Sequence, residues 1–573
     1  MNSVFFLALR RLRAPLILLI AIYAVSILGL VIIPGVDAQG QPVHMSFFHA
    51  FYFMSYTATT IGFGELPYTF SEAQRFWVIV CIYLSVIGWS YAILMLLALF
   101  QDRSFRLALI TQRFERQVRR LPEPFYLICG YGETGRLLCQ ALDHRDMRFV
   151  VLDHDEDRIN ELDLQDLTVD VPALPADAGS PENLLLAGLQ HPCCQGVITL
   201  TDADSANLAV AITVRLLNPD IPVLCRADKP ETAANMASFG TDYIINPFEK
   251  FAEYLVLAMD SPGSYRLLAW LTGTPGTTLR PETAPPRGRW IVCGYGRLGR
   301  GVIRFLDKEG IKPTLVTPGP EFPRDREYVI GQGTEAEILR QARIEDAVAL
   351  VAATDNDANN LSIALTAREL NPYLFLVVRQ NSECNRRLFD AFRADLTMVP
   401  SEIIAHECLA VLTTPLLLRF LEIVKQQDDA WADAVIERLQ KAVGSEVPDI
   451  WTVNLSATAA PGLKPALLAG DRSLRLDCLL RSSSHRAESL ACVPLLLVRR
   501  DRNLLLPQAD SLLLYEDRIL FAGTPEARAL QHLTLQNVNV SEYVRSGKDI
   551  PGGWVWQWLQ RAVNSGSMTG SDL

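Results

Sequence analysis

Two uncharged stretches near the amino terminus constrain this chain more than any other feature. Positions 14–33 and 76–100 hold 20 and 25 consecutive residues without a charge. At 1.5 Å per residue, either is long enough to cross the apolar core of a bilayer as a helix. The first is long for the apolar region of a signal peptide, and no small-x-small cleavage site precedes Asp37, so it reads as a retained span. Arg10, Arg11 and Arg13 precede the first stretch, and Arg103, Arg106, Arg113, Arg116, Arg119 and Arg120 follow the second. Between Pro34 and Arg75 there is no other Lys or Arg. Basic residues gather on the cytoplasmic side of spans, so both termini are expected in the cytoplasm.

The mean hydropathy of +0.16 means that only a small part of the 573 residues lies in lipid. A net charge of −11 argues against nucleic acid, which needs a basic patch. The 11 cysteines show no CxxC spacing, and Cys193 and Cys194 are adjacent, which reads as reduced, buried thiols.

Between the spans, 47–59 (FFHAFYFMSYTAT) is apolar and aromatic but too short to cross, so it reads as a re-entrant helix. Thr60, Ile61, Gly62, Phe63, Gly64 and Glu65 follow it. Backbone carbonyls can replace an ion's hydration shell when several converge, and glycines at alternate positions permit the angles this needs. Irregular backbone at membrane depth is tolerated where it lines a water-filled path or is buried in protein.

The run T-I-G-F-G resembles the T-V-G-Y-G selectivity filter of potassium channels, and T-A-T-T before it extends the likeness. The resemblance implies that the carbonyls of Thr60, Ile61, Gly62 and Phe63, with the Thr60 hydroxyl, line sites for a permeant K⁺. It also implies four identical chains around one pore, a homotetramer in the inner membrane of a prokaryote. Three residues depart from the family pattern. Phe63 stands where tyrosine is usual, which removes a phenol hydrogen bond that braces the filter. Glu65 stands where aspartate is common, and Tyr52 and Phe53 where paired tryptophans often sit. Gly88, midway along the second span, reads either as a gating hinge or as a point of close helix approach.

The remainder contains an internal repeat. Residues 125–136 (FYLICGYGETGR) match 290–300 (WIVCGYGRLGR), 201–208 match 354–361, and 215–219 match 368–372, in the same order. GxGxxG between an apolar strand and a helix is the dinucleotide fingerprint, in which a helix N-terminus meets a phosphate. The first turn offers Gly130, Tyr131, Gly132, Glu133, Thr134 and Gly135, with Asp153 placed 18 residues beyond Gly135 for a ribose diol. The second offers Gly294, Gly296, Arg297, Leu298, Gly299 and Arg300, but has Thr317 where the first has its acid. That copy is expected to favour phosphate or to bind nothing. Asp202 and Asp204, repeated as Asp355 and Asp357, follow strands and read as site-lining, with helix capping by Thr201 or Asp202 as the alternative.

A pore followed by two such copies resembles the regulator-of-potassium-conductance (RCK) family, also found in bacterial potassium-uptake subunits. The resemblance implies a cytoplasmic ring whose ligand binding pulls on the second span. NAD or an adenine nucleotide (ADP or ATP) is the implied regulator, with Ca²⁺ or another divalent cation as a second class.

The expected organisation is a helical pore module (1–100), a linker helix continuing the second span (101–123), and two Rossmann-like, doubly wound domains (124–271 and 290–425). A Pro- and Gly-rich connector (272–289) joins those two domains. A small α+β lobe (426–573) closes the chain, with strands at 511–515 and 518–522 and a disordered tail from 566. The acidic run 153–157 reads as a solvated surface, and the sequence places no metal site. A non-selective cation channel is the alternative raised by Phe63 and Glu65. A membrane-anchored NAD-dependent oxidoreductase would leave 60–65 idle, and no acid/base constellation stands out, so the chain does not read as an enzyme. A transporter with several filter-like segments does not fit a chain that has one.

Overall fold

The computed structural model describes residues 2–36, 41–273, 276, 284–319, 326–469, 474–500 and 502–548. The expected tail from 566, and half of the connector, lie outside these residues. The chain divides into two units, essentially 1–122 and the remainder.

The first unit is helical. Helices α1 (Asn2–Ile32) and α3 (Glu72–Gln101) each contain a stretch apolar and long enough to cross a membrane, Leu12–Ile32 and Glu72–Gln101. The second begins four residues before the uncharged stretch because Ser71 and Gln74 form a capping box, which starts the helix among polar residues. Much of both helices is apolar and open, Ile20 and Phe76 each being 68% exposed, as lipid-facing or subunit-facing helices require. Helix α2 (Phe47–Ala58) is capped by Ser46, whose hydroxyl accepts from the His49 N–H. Its Phe53, Met54 and Tyr56 pack with Leu30, Met45 and Phe70. Residues 101–123 are not a continuation of α3. Asp102 leaves helical geometry (ψ 121°) and caps a separate helix, α4 (Arg103–Arg119), by accepting from the Phe105 N–H at 3.0 Å.

In the second unit, the first copy contributes β1 (Phe125–Cys129), β2 (Arg148–Asp153), β3 (Ala173–Pro175), β4 (Cys194–Thr199), β5 (Val223–Arg226) and β6 (Tyr243–Ile245), in the sheet order β3-β2-β1-β4-β5-β6. The second contributes β7 (Trp290–Cys293), β8 (Thr314–Thr317), β9 (Tyr328–Ile330), β10 (Ala349–Ala352), β11 (Phe375–Arg379) and β12 (Leu396–Met398), in the same order β9-β8-β7-β10-β11-β12. The pairings from β2 to β6, and throughout the second sheet, are parallel. Both copies are therefore doubly wound, with a switch point beside the Gly-rich turn where ligands bind in such folds.

The copies exchange their last helices. Pro247–Asp260 of the first packs on Arg297–Lys308 of the second, and Pro400–Thr413 of the second packs on Glu133–Asp143 of the first. Phe248, Ala252 and Leu255 thereby share a core with Leu298, Val302 and Leu306. The Tyr254 hydroxyl ties the exchanged helices together by donating to Glu407 at 2.5 Å. In each copy a Pro-led helix follows (Pro262–Thr272 and Pro415–Val424), so the repeat extends past its matched motifs.

The C-terminal lobe holds the antiparallel strands β13 (Asp449–Asn454), β14 (Cys492–Arg499), β15 (Arg502–Leu505) and β16 (Arg518–Gly523), in the order β13-β16-β14-β15. The run at 511–515 is not a strand. Leu512 makes only an isolated bridge with Arg475, and Leu514 and Tyr515 lie exposed before the positive-φ turn at Glu516. Every cysteine except Cys193 and Cys384 is buried, and all eleven are free thiols.

Candidate functional site

The pore segment is set by the end of α2. Beyond its cap at Thr59, φ is positive at Thr60 (64°), Gly62 (67°) and Gly64 (97°), every second residue. An extended chain points successive carbonyls to opposite sides, and reversing the handedness of alternate residues turns them toward one side. A Cβ at Gly62 or Gly64 would meet nothing within 4 Å, so backbone angle, and not space, calls for glycine at both. Thr60 bears the same angle with a branched side chain, a strained arrangement. Ile61 and Phe63 are exposed in the single chain.

The brace expected to be lost with Phe63 comes from another residue. The Tyr56 hydroxyl donates to the Gly64 carbonyl at 2.6 Å, and its ring meets Phe63 edge-on at 5.3 Å. Tyr52 and Phe53 pack edge-on against the same ring. Sequence reasoning missed Tyr56, although its position one helical turn before Thr60 was visible. Glu65 is turned into a lateral tether. It accepts from the Phe70 N–H at 2.9 Å and from Arg75 Nε and Nη2 at 2.8 and 3.2 Å. Hydrogen bonds from Arg75 and then the Phe70 N–H hold its carboxyl below the usual glutamate range. At Gly88 the α3 helix is unbroken, and a Cβ there would come within 2.7 Å of Ile22 and 3.3 Å of Leu19 on α1. The glycine thus allows close approach of the two helices.

The two Gly-rich turns have the same build. Gly130 and Gly294 have φ of +106° and +104°, and a Cβ at Gly135 or Gly299 would collide with the carbonyl of Gly130 or Gly294. Gly132 and Gly296 are the helix N-caps, without a side-chain cap. Thr134 and Leu298 are buried behind the turns.

Asp153 differs from its expected role as an open ribose acceptor. Its side chain is 2% exposed and accepts from the Tyr131 N–H at 2.6 Å and the Asp155 N–H at 2.8 Å. It braces the turn. Asp204 also serves the backbone, accepting from the Asp228 and Lys229 N–H groups at 2.9 and 3.0 Å, and Asp357 repeats this with Asn381 and Ser382. Asp202 accepts from Arg226 at 2.7 Å. Asp355 accepts from Arg379 at 2.5 Å and Arg297 at 3.3 Å. Burial pushes the Asp355 carboxyl up, but these two guanidinium groups outweigh it and hold the group below its ordinary value. Neither Thr201 nor Asp202 caps the following helix, whose N-cap is Ala203. Asn207 and Asn360, the matched asparagines, instead tie Thr201 and Thr354 to the ends of β5 and β11.

The first helical residue of each copy reaches into the other. Glu133 accepts from the Ser382 hydroxyl at 2.7 Å and the Glu383 N–H at 3.0 Å. Arg297 pairs with Asp228, which also binds Arg226. Arg300 donates to the Tyr295 carbonyl at 3.1 Å and lies over its ring. A cavity of about 470 Å³ opens at the second turn, lined by Gly294, Gly296, Arg300, Thr317, Asp355 and Asn359 among others. Among the described residues, no three His, Cys, Asp or Glu side chains cluster to hold a metal, the 153–157 run included.

Comparison with known proteins follows these boundaries. Residues 16–102 match the ion channel family model, and residues 126–247 and 290–400 match the TrkA-N domain. Potassium channel protein 1 of Methanocaldococcus jannaschii is 27% identical over 203 residues, 35% of this chain and 59% of that protein. Probable potassium channel protein 2 of the same organism is 26% identical over 218 residues, 38% of this chain and 59% of that protein. The chain thus spans about three-fifths of the length of these relatives. A solved structure of the GsuK channel bound to NAD superposes with a TM-score of 0.43 at 19% identity, covering 93% of this chain and 100% of that one. The chain thus carries an ion channel domain followed by two TrkA-N domains, the second and third matched regions repeating one family model.

Proposed function

We propose that four copies of this chain form a K⁺-selective pore in the inner membrane of a prokaryote, with both termini in the cytoplasm. The observation that carries this reading is the alternation of positive φ at Thr60, Gly62 and Gly64, directly after a re-entrant helix held between two spans. One chain supplies one such segment, and enclosing an ion on an axis takes several. The Gly-rich turns supply the regulation, through binding of NAD or an adenine nucleotide such as ADP or ATP. Uncapped helix N-termini beside a switch point favour an anionic ligand of this type, and the cavity at the second turn is large enough to admit part of one. A divalent cation such as Ca²⁺ belongs to the proposal only as a co-ligand of bound phosphate, because the described residues hold no metal cluster. Gly88 stays in it as a bend point that ligand-driven tension would use.

The test is the reversal potential of the purified chain in a planar bilayer under opposed K⁺ and Na⁺ gradients, before and after NAD⁺ or ADP. Reversal at the potassium equilibrium potential supports the reading, and reversal near zero favours the non-selective alternative.

A further inference from the structure

Helix α4 and its C-cap carry six arginines, and four of them lie on one side. Arg106, Arg113 and Arg120 recur every seven residues, and Leu109 and Arg116 fall between them, all exposed within a stripe about 80° wide at 100° per residue. Phe114 and Val118 are buried on the side turned away. The acid of this helix, Glu115, is also turned away and is paired with Arg119 at 2.6 Å. A count of arginines near the span would satisfy the charge bias that sets orientation, whereas their alignment on a single face needs another cause. That face contains a groove of about 430 Å³ lined by Leu109, Gln112, Arg113, Arg116, Gln117 and Arg120. Only Asp102 separates α4 from α3, and Leu109, the first residue of the groove, follows Gln101 by eight positions, about two helical turns.

We propose that this groove is a binding site for the phosphate headgroup of an anionic phospholipid of the cytoplasmic leaflet. The inference rests on the reading of α3 as a membrane span. Guanidinium groups bind phosphate through paired N–H donors, and the two glutamines add neutral donors for a polar headgroup. Leu109 gives the first acyl carbons an apolar contact. Basic clusters just inside a span attract anionic lipid additively, residue by residue. Lipid held here would fix the short helix that lies between α3 and the rest of the chain.

The experiment compares the full chain in nanodiscs of phosphatidylcholine with nanodiscs of phosphatidylcholine and phosphatidylglycerol in equal parts. The readouts are phosphatidylglycerol retained after extraction and the melting temperature, neither of which depends on conduction. The triple variant R113Q/R116Q/R120Q is expected to retain at least roughly tenfold less phosphatidylglycerol and to lose its stabilisation by that lipid. R119Q, off the stripe, is expected to behave as the unmodified chain. Equal retention by the triple variant, with its subunit number unchanged, would overturn the proposal. So would inorganic phosphate that reproduces the stabilisation, since the groove would then serve a soluble anion. A triple variant that falls apart into smaller assemblies would overturn it too, by marking the face as a contact between copies. A chain that does not enter nanodiscs at all would instead refute the membrane reading beneath it.

Discussion

The Tyr56 hydroxyl donates to the Gly64 carbonyl at 2.6 Å, so the last turn of α2 holds the far end of the segment 60–64 proposed as the filter. In the family pattern this restraint comes from a filter tyrosine, and here it comes from a residue outside the filter. Y56F keeps the ring contact with Phe63 and removes the one hydrogen bond. Losing it is worth about 1 kcal/mol of local stability, so the K⁺ over Na⁺ permeability ratio should fall, by at most roughly fivefold were all of that energy to favour K⁺. The reversal potential under mixed gradients reads this directly, and an unchanged ratio would show that the phenol does not shape the filter.

The tether from Glu65 to Arg75 fixes the same region from the side. Because the Glu65 carboxyl is held below its usual range, its contribution is present above the ordinary value of about 4.3 and is lost only as pH falls through the lower, folded value. Acidifying the outer solution to about pH 5 should therefore leave K⁺ selectivity unaltered. E65Q should reproduce at neutral pH what stronger acid does. Both side chains are substantially exposed, 34% and 49%, so the stability change should stay within about 1 kcal/mol. A selectivity change already complete at mildly acidic pH would mean that Glu65 titrates above its ordinary value and is not held by Arg75.

Much of this was legible in the chain, and the reasons for the rest are physical. Span lengths, the re-entrant helix and the doubled Rossmann pattern follow from local periodicity and glycine spacing, which a sequence displays. The break at Asp102 was hidden because its neighbours on both sides favour helix, and only the backbone shows the cap. Asp153 was placed for a ribose diol by its spacing, and position alone does not reveal that its carboxylate is buried and already accepts from two backbone N–H groups. The exchange of helices 247–260 and 400–413 depends on contacts dozens to hundreds of residues apart, and the nearest sequence hint was the Asn-Pro or Val-Pro that opens each helix.

Asp153 therefore makes a combined prediction. D153A should cost the fold roughly 2–3 kcal/mol, since it leaves the Tyr131 and Asp155 N–H groups without their acceptor in a buried site. It should weaken any nucleotide response of the first turn at the same time. D153N keeps one acceptor and should fall between. Thermal unfolding of the full chain, alongside nucleotide titration, separates the roles. A lost response with an unshifted melting temperature would return Asp153 to direct ribose contact.

The contact that joins the two copies makes the last prediction. Asp228 is 5% exposed at its side chain and serves both Arg226, from its own copy, and Arg297, from the second. Removing it leaves Arg226 with Asp202 and Arg297 with Asp355 and costs charged hydrogen bonds in a buried site, so D228A should destabilise the chain by about 3 kcal/mol. R297Q leaves the Arg226–Asp228 pair intact, and Arg297 is 40% exposed, so its cost should be nearer 1 kcal/mol. The double variant should cost less than the sum, because the Arg297 contact can be lost only once. Strict additivity would mean that Arg297 and Asp228 do not interact in solution, leaving the exchanged helices and the Glu133–Ser382 contact to join the copies.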